Sequence, residues 1–296
     1  MDGNHSIIYW RTKMKVAVIG HGFVGKAVDY GFSNPVVEKK ILDPNYGSTP
    51  EDVKALANWN PDLTFICVPT PMQDDGDINT AILDDVMADL SGVSGLVVIK
   101  STITPSTIDK YSQTNVVYNP EFLTERSACE QFVNPEFHIF GGEEEQCELL
   151  ERYYQEYSLC TPCPSFNVSK AEASFVKYAI NSFLATKVTF FNQLYDACNA
   201  HGNVNFNKVI KAVGADERVS ISHTKVPGFD GKQGYGGACF PKDVSAFINF
   251  TTQAGMLEYV MKRNNEYRSV YDKDDREKEQ NIQYDMTGQT AHVNER

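Results

Sequence analysis

Short, continuously apolar runs alternate along this chain with segments whose apolar residues recur at helical spacing. Residues 14–20 read as a buried strand that stops at glycine, and 26–32 follow with helical composition. Further strands are expected over 36–42, 63–68, 96–99, 115–118 and 137–140. Helices are expected over 81–90 and 143–157, the second with its glutamates on a solvated face. This alternation predicts an α/β fold with a doubly wound parallel sheet, Rossmann-like in order. The pattern then changes. After a proline-marked loop at 161–164, residues 168–200 form one helical stretch without internal glycine or proline. Shorter helical segments follow at 205–213 and 244–259, so the second part is mainly helical. Residues 262–296 are rich in charged and amide side chains and read as a helix extension fraying into a disordered tail. The expected organisation is therefore an extension over 1–13, an α/β domain over 14–165, a mainly helical domain over 166–261, and the tail over 262–296.

In such a sheet, ligand-facing residues lie just beyond the C-terminal ends of the strands. The first strand runs into Gly20-His-Gly22-Phe23-Val24-Gly25 and then a helix. That is the context a dinucleotide turn requires, because glycines let the backbone turn tightly and approach a pyrophosphate at the helix N-terminus. The second strand ends at Asp43, an acid placed to accept both ribose hydroxyls and to repel a 2′-phosphate, which favours NAD over NADP. Other strand ends carry Val68-Pro69-Thr70-Pro71, Lys100-Ser101-Thr102 and Asn119-Pro120-Glu121.

Gly234-Tyr235-Gly236-Gly237-Ala238-Cys239-Phe240-Pro241-Lys242-Asp243 is the most unusual run. Pro241 suits the first turn of a helix, which puts Cys239 at or just before the helix N-terminus and Asp243 in its first turn. The partial positive charge there favours a thiolate. An ordinary buried cysteine after a glycine turn is the competing reading. On the long helix, Lys177 and Asn181 are four apart and share a face.

With 296 residues the chain can bury a sizeable core and form two domains. A net charge of −12 argues against general nucleic-acid or anionic-membrane binding. No apolar run approaches the roughly 20 residues of a membrane span. The apolar patch Ile7, Ile8, Tyr9 and Trp10 is too short for a signal-peptide core. Seven cysteines without a regular framework point to a reducing, cytoplasmic compartment. Cys160 and Cys163 have redox-motif spacing, but no second pair or nearby histidine completes a metal site, so no metal is expected.

These motifs together, with Ala171-Glu172 and Asp216-Glu217-Arg218, resemble the UDP-glucose/GDP-mannose dehydrogenase family from residue 14 to about 261. The resemblance implies a second domain like that of 6-phosphogluconate dehydrogenase. It also implies oxidation of a nucleotide-sugar primary alcohol, of UDP-glucose type, to a carboxylate with two NAD⁺. A first oxidation gives an aldehyde; a Cys239 thiolate adds to make a thiohemiacetal, whose oxidation leaves a thioester that water cleaves.

By the same resemblance Lys177 and Asn181 hold the substrate oxygen, and Asp243 with Thr102 orients water or serves base chemistry. Glu121 activates the hydrolytic water. Gly20, Gly22, Phe23, Val24, Gly25, Asp43, Pro69, Thr70, Thr102 and Glu125 contact NAD. Glu121, Phe122, Leu123, Lys177, Asn181, Arg218, Tyr235, Gly236 and Gly237 contact substrate, with Arg218 reaching across a homodimer built on the long helix. Family members carry a further C-terminal nucleotide-binding domain. Only 53 residues follow Asp243, so a chain without that domain is expected. The loop from Arg218 to Cys239 is longer than is usual in the family. Two other functions compete: a two-electron 3-hydroxyacid dehydrogenase, and a shortened NAD-binding protein without catalysis.

Overall fold

A computed structural model describes residues 13–285. The extension read over 1–13 lies almost wholly outside the described residues. The strands are β1 (Met14–Ile19), β2 (Val37–Leu42), β3 (Leu63–Ile66), β4 (Leu96–Ile99), β5 (Val116–Tyr118), β6 (His138–Gly141) and β7 (Ser165–Val168). The α-helices are α1 (Phe23–Gly31), α2 (Pro50–Lys54), α3 (Leu56–Trp59), α4 (Ala81–Asp89), α5 (Pro105–Ile108) and α6 (Ala128–Val133). They continue with α7 (Glu144–Tyr157), α8 (Lys170–His201), α9 (Phe206–Val213), α10 (Phe240–Phe250), α11 (Gly255–Arg268) and α12 (Asp275–Glu279).

The chain divides into two compact units, which do not follow one cut in sequence. Among the described residues the first holds 13–68, 83–101 and 113–169; the second holds 69–82, 102–112 and 170–285. The expected boundary near 165 therefore misses two loops. Their membership has a local cause within the second unit. Thr70 donates its hydroxyl to the Thr102 carbonyl at 2.9 Å, Ser174 of α8 donates to the Ile103 carbonyl at 2.7 Å, and Lys170 donates to the Tyr111 carbonyl at 2.8 Å.

The first unit carries a seven-stranded sheet in the order β2-β1-β3-β4-β5-β6-β7. The strands β3 and β4 are buried throughout and β1 nearly so, as expected where both faces of a parallel sheet are covered. The sheet is not wholly parallel. β6 runs antiparallel to β5 through Tyr118 and Gly141, and β7, a strand absent from the sequence expectation, pairs parallel with β6. The order reverses between β1 and β3, the point where α/β sheets open a ligand crevice. Aromatic packing of Phe32, Phe65, Phe132, Phe140 and Tyr154 fills the core on one side of the sheet.

The second unit is built on α8, 32 residues long. Ala185, Val244, Ile248, Leu257 and Val260 form its main apolar cluster, joined by Tyr235 from the glycine-rich loop. A second cluster under α9 gathers Phe191, Cys198, Phe206, Ile210 and Val226.

The disordered tail expected from 262 is corrected by the fold. α11 continues to Arg268, whose side chain is 1% exposed, and α12 begins with a capping box between Asp274 and Glu277. Ile282 and Tyr284 are buried together with Met72. Residues 286–296 lie outside the described part.

Candidate active site

At the β1–α1 turn each glycine has a different physical reason. Gly20 has φ +85°, and a Cβ there would meet the Cys67 carbonyl oxygen at 2.7 Å. A Cβ on Gly25 would stand 1.9 Å from the Gly20 carbonyl oxygen, so close approach of α1 to the turn excludes one. Gly22, the N-cap of α1, has nothing within 4 Å of its Cβ position. That open face of a helix N-terminus is where a pyrophosphate approaches. Phe23 and Val24 supply the first turn of α1.

Asp43 closes the site from the end of β2. It is buried, its Oδ2 accepts the His21 N–H at 2.6 Å, and its Oδ1 accepts the Asn45 N–H at 2.8 Å. Both carboxylate oxygens keep lone pairs for ribose hydroxyls. His21, which no sequence motif assigned a role, is anchored by its ring to Tyr46 at 2.8 Å and Asp29 at 3.1 Å. The residues of this turn fit a dinucleotide.

Elsewhere in the first unit, Glu121 is buried and accepts the Leu123 N–H at 2.6 Å. Phe122 packs on Phe137 with ring centroids 5.1 Å apart. Glu125 opens a 3₁₀ turn. Lys100, at the end of β4, donates to Asn119 at 2.8 Å, and Tyr154 donates to the same Asn119 oxygen at 2.8 Å. Burial, with Lys100 and Glu121 as opposing minor influences, pushes the Cys67 thiol up to about 12. Cys160 is also raised, to about 11, chiefly by burial, and its thiol contacts the Phe132 carbonyl. Neither is a nucleophile at neutral pH.

In the second unit the structure joins several of the expected catalytic residues. Asn181 of α8 donates its amide to Asp243 Oδ2 at 2.6 Å, and Lys242 donates to Asp243 Oδ1 at 2.5 Å. Asp243 is 0% exposed, so an uncompensated charge there would be costly; the two donors answer it. Lys177 stands one turn before Asn181 on the same helix and is 2% exposed. Cys239 is the N-cap of α10, and its carbonyl accepts the Asp243 N–H at 2.9 Å. It is a partly buried cysteine outside any disulfide, at a helix N-terminus with Pro241 in the first turn.

The loop before Cys239 is held by amides that sequence reading overlooked. Asn192 accepts the Gly234 N–H at 3.0 Å, and Asn264 both accepts from Tyr235 at 2.6 Å and donates to its carbonyl at 3.0 Å. Single asparagines on long helices carry no local signal of such a role. Gly237 has φ +77° and open space at its Cβ position, whereas a Cβ on Gly236 would strike Arg268 at 2.2 Å. Arg218 is 89% exposed and paired with Asp216 at 2.6 Å. Thr70 and Thr102 are linked within the second unit, as described above, and Pro69 opens that loop. Glu121 and Glu125 belong to the other compact unit from Cys239, Lys177, Asn181 and Asp243. Among the described residues no group of three or more His, Cys, Asp or Glu is arranged to hold a metal ion.

The β1–α1 turn and the acid at the end of β2 define an α/β protein with a dinucleotide-binding turn. The chain belongs to the UDP-glucose/GDP-mannose dehydrogenase family: residues 34–158 match its NAD binding domain and residues 171–267 its central domain. NAD is the cofactor of the matched domain.

Among relatives, a UDP-glucose 6-dehydrogenase of Rickettsia felis is 34% identical over 69% of this chain and 48% of its own length. A putative UDP-glucose 6-dehydrogenase of Bacillus subtilis is 28% identical over 84% of this chain and 66% of its own. The chain thus spans about half to two-thirds of the length of these curated relatives. A solved UDP-glucose dehydrogenase from Pyrobaculum islandicum superimposes with a TM-score of 0.69 at 27% identity, covering 88% of this chain and 70% of that one. A 3-hydroxyisobutyrate dehydrogenase from Mycobacterium tuberculosis shares the fold at 14% identity and a TM-score of 0.62, covering 84% of this chain and 91% of that one.

Proposed function

We propose that this protein oxidises the primary alcohol of a nucleotide sugar, of UDP-glucose type, to the carboxylate through a Cys239 thioester. The observation that carries this reading is the buried cluster in which Asn181 of α8 meets Asp243 and Lys242 in the first turn of the helix that Cys239 caps. A two-electron dehydrogenase has no use for a nucleophile there. The overall balance is RCH₂OH plus two NAD⁺ plus water, giving RCO₂⁻, two NADH and three protons. NAD supplies the electron acceptor for both oxidations.

The protein's part is positional and electrostatic. Lys177 and Asn181 hold the substrate oxygen and stabilise the negative charge that develops on it. The Cys239 thiolate forms a C–S bond to the aldehyde carbon, and the carbonyl oxygen takes a proton to complete the thiohemiacetal. After the second oxidation, water activated by Glu121 attacks the thioester carbon. The C–S bond breaks, Cys239 leaves as the thiolate, and the acid is released. Asp243, with Thr102, orients water near Cys239. Tyr235, Gly236, Gly237, Phe122 and Leu123 line the substrate, while Pro69, Thr70 and Glu125 contact NAD.

A homodimer along α8 is part of the proposal. Phe183 and Phe190, seven residues apart and therefore on one helical face, are 66% and 58% exposed. Arg218, exposed beyond that helix, is assigned to the partner's substrate. A reducing, cytoplasmic setting accords with seven cysteines outside any disulfide, and no described helix is long and apolar enough to cross a membrane. The reading is tested by incubating the protein with NAD⁺ and a panel of UDP- and GDP-sugars and assaying the uronic acid. Acid from one sugar, lost in Cys239→Ala, is expected; acid undiminished in that variant would refute it.

A further inference from the structure

Glu277 lies far along the chain from every motif considered above, yet its side chain is 0% exposed. Three donors converge on its Oε1: Arg268 Nη2 at 2.7 Å, the Tyr284 hydroxyl at 2.7 Å, and the backbone N–H of Gly237 at 3.1 Å. Its Oε2 accepts the Asp274 N–H at 3.0 Å, and its own N–H donates to Asp274 at 2.8 Å. A charge buried so completely is retained only where every lone pair has work to do. Burial opposes its ionisation, but the bonds from Tyr284 and Asp274 and the Arg268 charge outweigh that and hold the carboxyl below its ordinary range.

Gly237 is two residues before Cys239. The hydrogen bond from its N–H therefore couples the segment after α11 directly to the loop that presents the thiol. The contact also explains Gly236, whose Cβ would overlap the Arg268 guanidinium and approach Glu277 Oε1 at 2.6 Å. It gives a structural role to the loop between Arg218 and Cys239 as well, since Asp230 supplies the second carboxylate for Arg268 at 2.7 Å.

The same segment is tied at its other end. Met72 donates its N–H to the Gln280 carbonyl at 3.0 Å, Asn281 donates to the Met72 carbonyl at 3.1 Å, and Ile282 and Tyr284 bury against Met72. Met72 follows Pro69 and Thr70 in the loop assigned above to NAD. One short segment thus fastens both the proposed cofactor loop and the proposed nucleophile loop of the second unit.

We propose that residues 274–284 are a strap that fixes the glycine-rich loop ahead of Cys239, with Glu277 as its positioning residue. Glu277 acts through Gly237 and touches no substrate. Its bearing on catalysis rests on the role proposed above for Cys239, but the strap itself does not.

The test is alkylation of Cys239 by iodoacetamide in the full chain, without NAD or sugar, followed on the Cys239 peptide by mass spectrometry across about pH 6 to 9. In Glu277→Ala the loosened loop lets Cys239 leave the N-cap of α10. The pH midpoint of alkylation is expected to rise by about half a unit or more. Amide hydrogen exchange over residues 234–240 is expected to accelerate roughly tenfold. Tyr284→Phe keeps both charges and removes one donor, and an acceleration of about threefold is expected there. If Glu277→Ala does not fold, Tyr284→Phe decides on its own exchange rate.

Midpoint and exchange both within about twofold of the parent overturn the strap, even if the melting temperature falls. A shifted midpoint in a protein that oxidises no nucleotide sugar upholds the strap and removes the function proposed above. An unshifted midpoint in an active enzyme does the reverse.

Discussion

Asn181 and Asp243, 62 positions apart in sequence, meet through a buried 2.6 Å hydrogen bond between the side chains of α8 and α10. That bond turns two separate motifs into one cluster, because Asp243 also holds the Lys242 ammonium at 2.5 Å. Asp243→Ala leaves Lys242, 5% exposed, without its carboxylate. Such a loss costs about 3–5 kcal/mol, read as a lower urea midpoint. Asp243→Asn keeps the shape and loses the charge, so it is expected to fold with a smaller penalty and to lower kcat by roughly a hundredfold or more.

Two glycines of the dinucleotide turn are expected to separate stability from binding. Gly25→Ala places a methyl against the Gly20 carbonyl oxygen, 1.9 Å from the Cβ position, and backbone cannot yield cheaply. A loss of about 1–3 kcal/mol in thermal or urea unfolding is expected. Gly22→Ala meets no protein atom within 4 Å and has an ordinary φ of −67°. It is expected to fold normally and to weaken NAD binding roughly tenfold by calorimetry, since the methyl stands where the pyrophosphate approaches.

His138 makes the first unit sensitive to mild acid. Burial first, then the Lys100 ammonium, lower its pKa from 6.5 to about 4. Above 6.5 the imidazole is neutral folded or unfolded, and stability is complete. Between 6.5 and 4 the unfolded chain takes up a proton that the folded chain refuses, so stability falls with pH by about 3 kcal/mol in all. His138→Phe keeps a ring stacked on Phe140 and tilted against Tyr154, and is expected to flatten that slope in urea titrations.

The homodimer is tested at Phe183, 66% exposed on α8. Phe183→Glu is expected to shift the protein from dimer to monomer in sedimentation, while leaving the circular dichroism of the folded chain unchanged. A parent protein that sediments as a monomer at micromolar concentration would contradict it.

Glycine spacing before α1 and the continuous apolar runs of β1, β3 and β4 were legible because each is a local pattern with a local cause. So was Cys239 at a helix N-terminus, since Pro241 two residues later marks the first turn. The strand β7 was hidden: two of its four residues are exposed, and Pro162 and Pro164 just before it read as a loop. The antiparallel β6 depends on pairing that no single strand encodes. The loops carrying Thr70 and Thr102 join the second unit through bonds to each other and to α8, which only the folded chain brings into reach. Composition misled most after residue 262. Arg268 and Glu277 look like solvated charges in a polar tail, yet each is buried because the other is there.

The most direct measurement of the central claim is the ratio of NADH formed to acid released when the protein is supplied with NAD⁺ and its nucleotide sugar. Oxidation through a Cys239 thioester predicts two NADH for each acid and no acid from Cys239→Ala. A ratio of one, with an oxidised product that is not an acid, would contradict it.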